Sequence, residues 1–307
     1  MTVDVYTGTK GYDPTRTTHL RNRFVGDLRK RFRALRGLIR EVIVEDEVFG
    51  VNQPFTSLSK PGRRAFAFDR SGKKVGAFMD WLNVQAEAGI LETRKIAQAG
   101  QGVEAAWTNV YINDSYKRGV QRATYELRNA GYNVPGIDER GGIDAVMNQP
   151  FHADRVGLLY TRTFSDLKGI TEAMDGQISR VLSQSMADGD GPREIARRLN
   201  RVISGPSGDL GLTDTLGRFI PAERRAVMLA RTEVIRAHHA ATVQEYRNWG
   251  AEGVRVRAEW QTAGDDRVCP DCLDLENSIY TLDQIEGMIP LHPQCRCIAL
   301  PVKIKDR

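Results

Sequence analysis

The chain has 307 residues, 41% of them apolar and 27% charged, with 44 Lys and Arg against 39 Asp and Glu for a formal net charge of +5. That balance describes a globular chain of two or three domains and excludes a disordered one, and no apolar run approaches the length of a membrane span, so no membrane partner is expected. The positive excess is small for the length, compatible with nucleic acid without pointing to it.

The first fifteen residues, rich in Gly, Thr and Pro, read as an arm, after which Thr17 or Thr18 is placed to cap a long helix. Leu20, Phe24, Leu28, Phe32, Leu35, Ile39 and Val42 fall three or four apart and draw one apolar stripe. The other faces carry Arg21, Arg23, Arg29, Lys30, Arg31, Arg33, Arg36 and Arg40, with Asp27 nearly alone among them, until Glu41, Glu45, Asp46 and Glu47 reverse the sign. A charge run is usually a solvated helix face. Like charges at this density nevertheless repel unless they meet phosphates or an acidic protein surface. Arg21, Arg29, Lys30, Arg33, Arg36 and Arg40 are therefore the candidate contacts to DNA or an acidic partner.

Gly50 to Gly76 is broken by Pro and Gly and reads as loop or hairpin, with Arg63, Arg64, Arg70, Lys73 and Lys74 around Phe66 and Phe68. Such interleaving stacks single strands in some proteins, and in most it is an ordinary edge hairpin. Helices are expected over Val75–Leu91 and Val103–Asn129, the second burying Trp107, Val110, Tyr111, Tyr116, Val120 and Leu127. Asn133–Asp144, with tandem glycines and a proline, has the composition of a linker. Three helical stretches follow at Arg155–Leu167, Ile170–Met186 and Pro192–Val202, the last opened by Asp190. Ser204–Ile220 then reads as a long loop.

Pro221–Trp249 is the last long helix, with Met228, Ile235, Thr242, Tyr246 and Trp249 on one stripe and Ala230, Ala237 and Ala241 permitting close approach on another. In its middle stand Arg231, Thr232 and Glu233. Glu233, beside Arg236 and below Arg231, reads as a buried or semi-buried ion pair locking the helix to the C-terminal Cys/His unit, with a catalytic carboxylate as the sharper alternative. His238 and His239 are adjacent and point about 100° apart on a helix, so they do not make one ligand pair and read as packing or surface.

All four cysteines lie between Arg255 and Val302. Cys269 and Cys272 are separated by two residues, and His292, Cys295 and Cys297 follow some twenty residues on. Tetrahedral zinc takes four soft or borderline ligands from two short chain reversals, and this spacing supplies five candidates for the four places. Cys269 and Cys272 form the first pair, while the second is open among His292, Cys295 and Cys297. Disulfides are the alternative, disfavoured because the N-terminal residues do not read as a signal peptide. Val254, Val256, Ala258 and Trp260 alternate as a half-buried strand, as do Ile298, Leu300, Val302 and Ile304. Between them Thr281 and Gln284 form a capping box before a helical turn. The expected fold is thus mainly α with a small α+β C-terminal unit, two short strands and a helical turn clipped by zinc. The division is a helical N-terminal domain over 1–135 with the basic first helix, a helical part over 145–250, and the Cys/His unit over 251–307.

Arg231-Thr232-Glu233 on a helix, Trp260-Gln261-Thr262, then Asp265 and Asp266, the run Arg267 to Cys272, and Pro290 to Cys297 together resemble the signature of the phage Mu F-like family. These are minor head, or head morphogenesis, proteins of tailed bacteriophages, and the resemblance covers about Arg155 to Val302. It implies a structural virion component present in few copies in the head interior at the portal vertex, assembled in the host cytoplasm. It further implies that the portal protein or the major capsid protein is the partner and that packaged DNA is within reach. It marks Arg231, Thr232, Glu233 and Trp260 as structural motif residues. Four protein ligands leave no open coordination position, so the expected zinc is structural and no enzyme is expected. The alternatives are a metal-dependent nuclease with His292 as general base, and a sequence-independent DNA-binding protein of the head interior.

Overall fold

The computed structural model describes residues 13–49, 74–98, 101–206 and 220–303. Residues 1–12, read as an arm, the basic and aromatic segment 50–73, residues 99–100, residues 207–219 of the stretch read as a loop, and residues 304–307, with Ile304 of an expected strand, lie outside them. The described chain is mainly helical, as expected. By compactness it forms two units: one draws its described residues from Met1–Phe24, Thr108–Thr163 and Met228–Arg307, the other from Val25–Trp107 and Phe164–Val227.

In the second of these units, helix α1 (Thr18–Arg40), from Val25 onward, buries Leu28, Phe32, Leu35 and Ile39 from the stripe seen in the sequence, and ends in a π-helical turn, Glu41–Glu45, that buries Val42 and Ile43. Helix α2 (Lys74–Gly89) buries Phe78, Leu82 and Ala86, with Phe49 against Phe78 at 5.6 Å between ring centroids. Strand β1 (Thr93–Gln98) pairs antiparallel with β2 (Gln101–Ala106) from Thr93↔Ala106 to Gln98↔Gln101. This hairpin corrects the expected helix start at Val103. Ala105 and Ala106 favour helix alone, but cross-strand partners at Arg94 and Thr93 outweigh so weak a local preference. Arg31 anchors the hairpin's base, with its guanidinium 2.7 Å from Glu92 and 4.1 Å above the Trp107 ring. Trp107 Nε1 donates to the Ile90 carbonyl at 2.9 Å.

Helix α3 (Asn109–Asn129), a short helix α4 (Ile143–Met147) and a long helix α5 (Pro150–Ala187) follow in the chain. The two stretches expected on either side of Gly169 are therefore one helix of 38 residues. Gly169 has open space where a side chain would stand, so it costs α5 some propensity without breaking it. Helix α6 (Pro192–Ser204) buries Ile195, Leu199, Val202 and Ile203, with Pro192 in its first turn. Gly191, not Asp190, precedes it. Asp190 is drawn instead to Arg198 at 2.6 Å.

In the first unit, α3 lies against helix α7 (Ala222–Ala251) at a crossing of small residues. A Cβ on Gly119 would collide with the His238 carbonyl and stand 2.7 Å from Ala241 Cβ, and Ser115 Oγ donates to the Val234 carbonyl at 2.5 Å. A glycine at mid-helix costs about 1 kcal/mol relative to alanine. The close approach explains why it is here. Gly119→Ala is accordingly expected to destabilise the protein by about 1–3 kcal/mol despite the better helix former, as overpacking does. A thermal melt that held or rose would contradict so tight a crossing.

The residues read as a linker, Asn133–Asp144, are built onto α7. Val134 is buried with Tyr246 and Leu127, and Arg140 reaches the side chain of Glu245. After α7 comes strand β3 (Val256–Gln261), then α8 (Pro270–Asp274), β4 (Ile279–Tyr280), α9 (Leu282–Ile285) and β5 (Ile298–Lys303). The sheet order is β4-β3-β5, all antiparallel, with Val256↔Lys303 to Gln261↔Ile298 setting the long pairing. Both expected strands are present, the first without Val254 and the second described as far as Lys303, and β4 and α8 add to them. Val256, Ala258 and Trp260 alternate inward. Ala258 and Trp260 pack with Ile235 and Val243 of α7, with Ile285, Ile289 and Ala299, and with Cys272, Cys295 and Cys297. The capping box is formed, Thr281 Oγ1 accepting from Gln284 N at 3.2 Å and Gln284 Oε1 from Thr281 N at 2.9 Å.

Candidate metal centre

Two arms of chain carry the sulfur and imidazole groups to one place. The first leaves β3 and turns at Asp265. Its carboxylate, 2% exposed, accepts from both terminal nitrogens of Arg296 at 2.5 and 2.7 Å and from Arg267 at 2.8 Å. The Arg296 guanidinium, then Arg267, holds the Asp265 carboxyl far below the usual carboxylate range, so this clamp between the two arms is ionised at any ordinary pH. Cys269 then caps α8, its sulfur accepting from the Cys272 N–H at 3.4 Å, and Pro270 supplies the fixed first helical position.

The second arm is His292-Pro293-Gln294-Cys295. Gln294 adopts a left-handed backbone (φ 66°), rare for a side chain other than Gly or Asn, and α7 holds it there. Gln294 N donates to Thr232 Oγ1 at 3.1 Å, while Arg231 donates to Gln294 Oε1 at 2.6 Å. Thr232 Oγ1 in turn donates to the Met228 carbonyl at 2.7 Å, so one hydroxyl serves as both donor and acceptor. Arg231 and Thr232 thus brace the second arm. Glu233 does not: its buried carboxylate faces Arg236 at 3.0 Å and Arg162 of α5 at 3.5 Å, which corrects the expectation that its ion pair ties α7 to the metal unit. Trp260 is fully buried beneath the arms.

Where the arms meet, the ligand atoms of Cys269, Cys272 and His292 lie within 4.8 Å of one another, and so do those of Cys272, Cys295 and Cys297. His292 Nε2 is 3.1 Å from Cys269 Sγ and 3.2 Å from Cys272 Sγ, and Cys272 Sγ is 3.9 Å from Cys295 Sγ. All four cysteines are free thiols, and 3.9 Å is far beyond a disulfide bond of about 2.05 Å. Zinc–sulfur bonds of about 2.3 Å give a tetrahedron with S···S edges of about 3.8 Å, which the Cys272–Cys295 separation matches, so the two groups of three, sharing Cys272, are compatible with a bound metal ion.

The protonation states reinforce the fit. The Cys295 sulfur accepts from the Cys297 thiol and from backbone N–H groups of Cys297 and Leu291, which lowers its pKa to about 5. Cys297, as donor to Cys295 and through burial, is pushed up, and Cys272 is pushed up to about 12 by burial and the charge on Cys295. Without a cation the cluster tolerates about one thiolate; a divalent ion would let the ligand thiols ionise and release their protons. His292 Nδ1 is 2.9 Å from the Pro293 carbonyl, which leaves Nε2 turned toward the sulfurs of Cys269 and Cys272.

Residues 176–300 match the model of the family described as Phage Mu protein F like protein. The chain carries a phage Mu F-like region. That family is one of phage head morphogenesis proteins, and its match begins about twenty residues later than the resemblance in the sequence implied. No curated protein and no solved structure matches the chain.

Within the Mu F-like region, His238 and His239 are packing residues. Burial, and for His238 its neighbour His239, pushes their pKa values down to about 3 and about 4, and His239 Nε2 donates to the Ile285 carbonyl of α9 at 3.0 Å. A second polar cluster was not seen in the sequence. Glu245 on α7 is fully buried and accepts from Arg140, from Thr124 Oγ1 at 3.1 Å, Trp249 Nε1 at 2.9 Å and His152 Nε2 at 3.2 Å. The Tyr116 hydroxyl is 3.0 Å from His152 Nδ1. Outside the Mu F-like region, the basic residues of α1 divide. Arg21 is buried and held by Asp13 at 2.6 Å, whereas Arg29, Lys30, Arg33 and Arg40 are exposed and Arg36 is half-buried. Arg29 stands 3.8 Å from Glu223. No helix among the described residues is long and apolar enough to cross a membrane.

Proposed function

We propose that this chain is a structural minor head protein of a tailed phage, located in the head interior near the portal vertex, with its Cys/His cluster holding one zinc ion as a structural clip. The observation that carries this reading is the convergence of five ligand-type side chains in a Mu F-like region, with sulfurs that are walls of a hydrophobic core rather than of a cleft. When bound, zinc would supply a cross-link between the arms. The protein's own residues do the rest: Arg231 and Thr232 fix the second arm on α7, and Asp265 with Arg296 closes one arm on the other. A nuclease with His292 as general base finds no support here, because one ring nitrogen faces a backbone carbonyl and the other the cysteine sulfurs.

In this reading the portal protein, the major capsid protein or both are the partners, and packaged DNA meets α1 through Arg29, Lys30, Arg33 and Arg40, with Arg36 at the margin and Arg21 removed from the set by Asp13. Contacts of this kind fall steeply with salt. The deciding experiment is quantitative mass spectrometry and cross-linking of purified particles. A few copies per particle cross-linked to the portal are expected, and absence of the chain from mature and immature heads alike would overturn the assignment.

A further inference from the structure

The first unit holds an open cavity of about 350 Å³, formed by α5 near its start, α7 at its middle and the turn after α9. None of the five sulfur and imidazole groups lines it. Its floor is apolar, with Leu159, Val243 and Ile289 buried there, and Leu158 stands at its mouth, 72% exposed. The partly exposed side chains of Arg155, Arg162 and Arg236 form its rim. We propose that this cavity seats a short acidic and apolar segment of a partner protein: one large apolar side chain enters over the floor, and a carboxylate beside it meets the rim arginines. Such docking is independent of the zinc clip and of the virion assignment.

The arginines are held in place by acids that do not cancel them. Glu233, buried, lies 3.0 Å from Arg236 Nε and 3.5 Å from Arg162 Nε, while Glu286 binds Arg155 at 2.8 Å and Arg247 at 2.7 Å. Three guanidiniums thus line the cavity against two carboxylates, one of which is also met by a fourth. Among the described residues Arg236 gives Glu233 only its Nε, and Arg155 gives Glu286 only one terminal nitrogen, so both retain N–H donors for a ligand. Burial pushes the His239 pKa down to about 4, which leaves this wall residue uncharged and the positive charge to the arginines. A guanidinium fork fixed in this way matches a carboxylate, which can take two parallel N–H···O bonds from it.

Ligand pockets run to about 300–1,000 Å³, so this cavity has room for an anchoring side chain or two and not for a large cofactor. A lone exposed leucine is ordinary. Leu158 instead continues the apolar floor outward, the arrangement in which a protein partner plants one anchor and covers the margin. A nucleic-acid backbone would satisfy the arginines but has nothing apolar to bury over Leu159, Val243 and Ile289, and Glu233 and Glu286 would repel its phosphates.

The test uses the full chain, a displayed library of random short peptides, and the synthetic peptides it yields, labelled for fluorescence anisotropy. Enriched peptides are expected to carry Asp or Glu within a residue or two of a large apolar side chain, and to lose about 10-fold or more in affinity when the acids become amides. Leu158→Glu, at an exposed position, is expected to keep the wild-type melt and to weaken the same peptides by a similar factor. Enrichment of no peptide, or peptides that bind equally well as amides or to Leu158→Glu, overturns the proposal. Displacement of the peptides by a short DNA duplex would give the cavity to nucleic acid, and concentration-dependent self-association lost in Leu158→Glu would give it to a second copy of the chain; either result overturns it too. The amide peptides leave the protein unaltered, so the outcome holds even if the variant fails to fold.

Discussion

Stripping zinc from the purified chain with a strong chelator is expected to lower the melting transition of the β3–β5 segment by on the order of 10–20 °C, which is several kcal/mol for a protein of this size. The segment from β3 to β5 is small, and below about 70 residues a single core rarely sustains itself. Here Cys272, Cys295 and Cys297 are part of that core alongside Trp260, Ile285 and Ile289. Losing the cross-link leaves the sulfurs as loosely packed thiols between two arms held by Asp265–Arg296 and the Gln294 contacts alone. Acid should act as chelator does, since protonation of the thiolates competes with the metal. Differential scanning calorimetry with and without chelator, followed by readdition of zinc, measures the effect. An identical melt in both conditions would sink the structural role of the site.

The other large effect is expected at Glu245. Replacing it with alanine should cost about 3–5 kcal/mol, because it removes one partner of a buried charge pair and leaves Arg140 facing an unpaired site. Thr124, Trp249 and His152 also lose their acceptor. Burial alone would raise the Glu245 pKa. The hydrogen bonds from His152, Arg140 and Trp249 outweigh it and hold the carboxyl below the usual range. A carboxylate so depressed contributes stability that is fully present above the unfolded-state value, about 4.3, and is lost as pH falls through the lower folded value. Urea melts at pH 7 should therefore separate wild type from Glu245→Ala widely, and the gap should narrow only in strong acid. A loss under 1 kcal/mol at neutral pH would mean that water, not protein, satisfies this cluster.

The Cys/His cluster was legible because its pattern is local: two short reversals carry the five side chains, and residue spacing alone announces them. The α1 stripe, the α6 face and the Thr281–Gln284 capping box were legible for the same reason, each being a pattern within a few turns. The features that escaped join residues far apart in the chain. Arg140, His152 and Glu245 span about a hundred positions, and nothing near any of them marks the other two. The hairpin was misread because pairing across strands decided it, and α5 was split because one glycine in a long helix carries less weight than a tandem or a proline. Glu233 shows a subtler error. It is buried, but the preceding residues of the motif, Arg231 and Thr232, make the contacts to the second arm.

Trp260 sits in the same core as three of the cysteines. An indole enclosed this way emits at short wavelength and reddens when water reaches it. Metal occupancy should thus be written into the protein's own fluorescence, so that the state of the clip can be followed in a cuvette, or in an assembling particle, without attaching any dye.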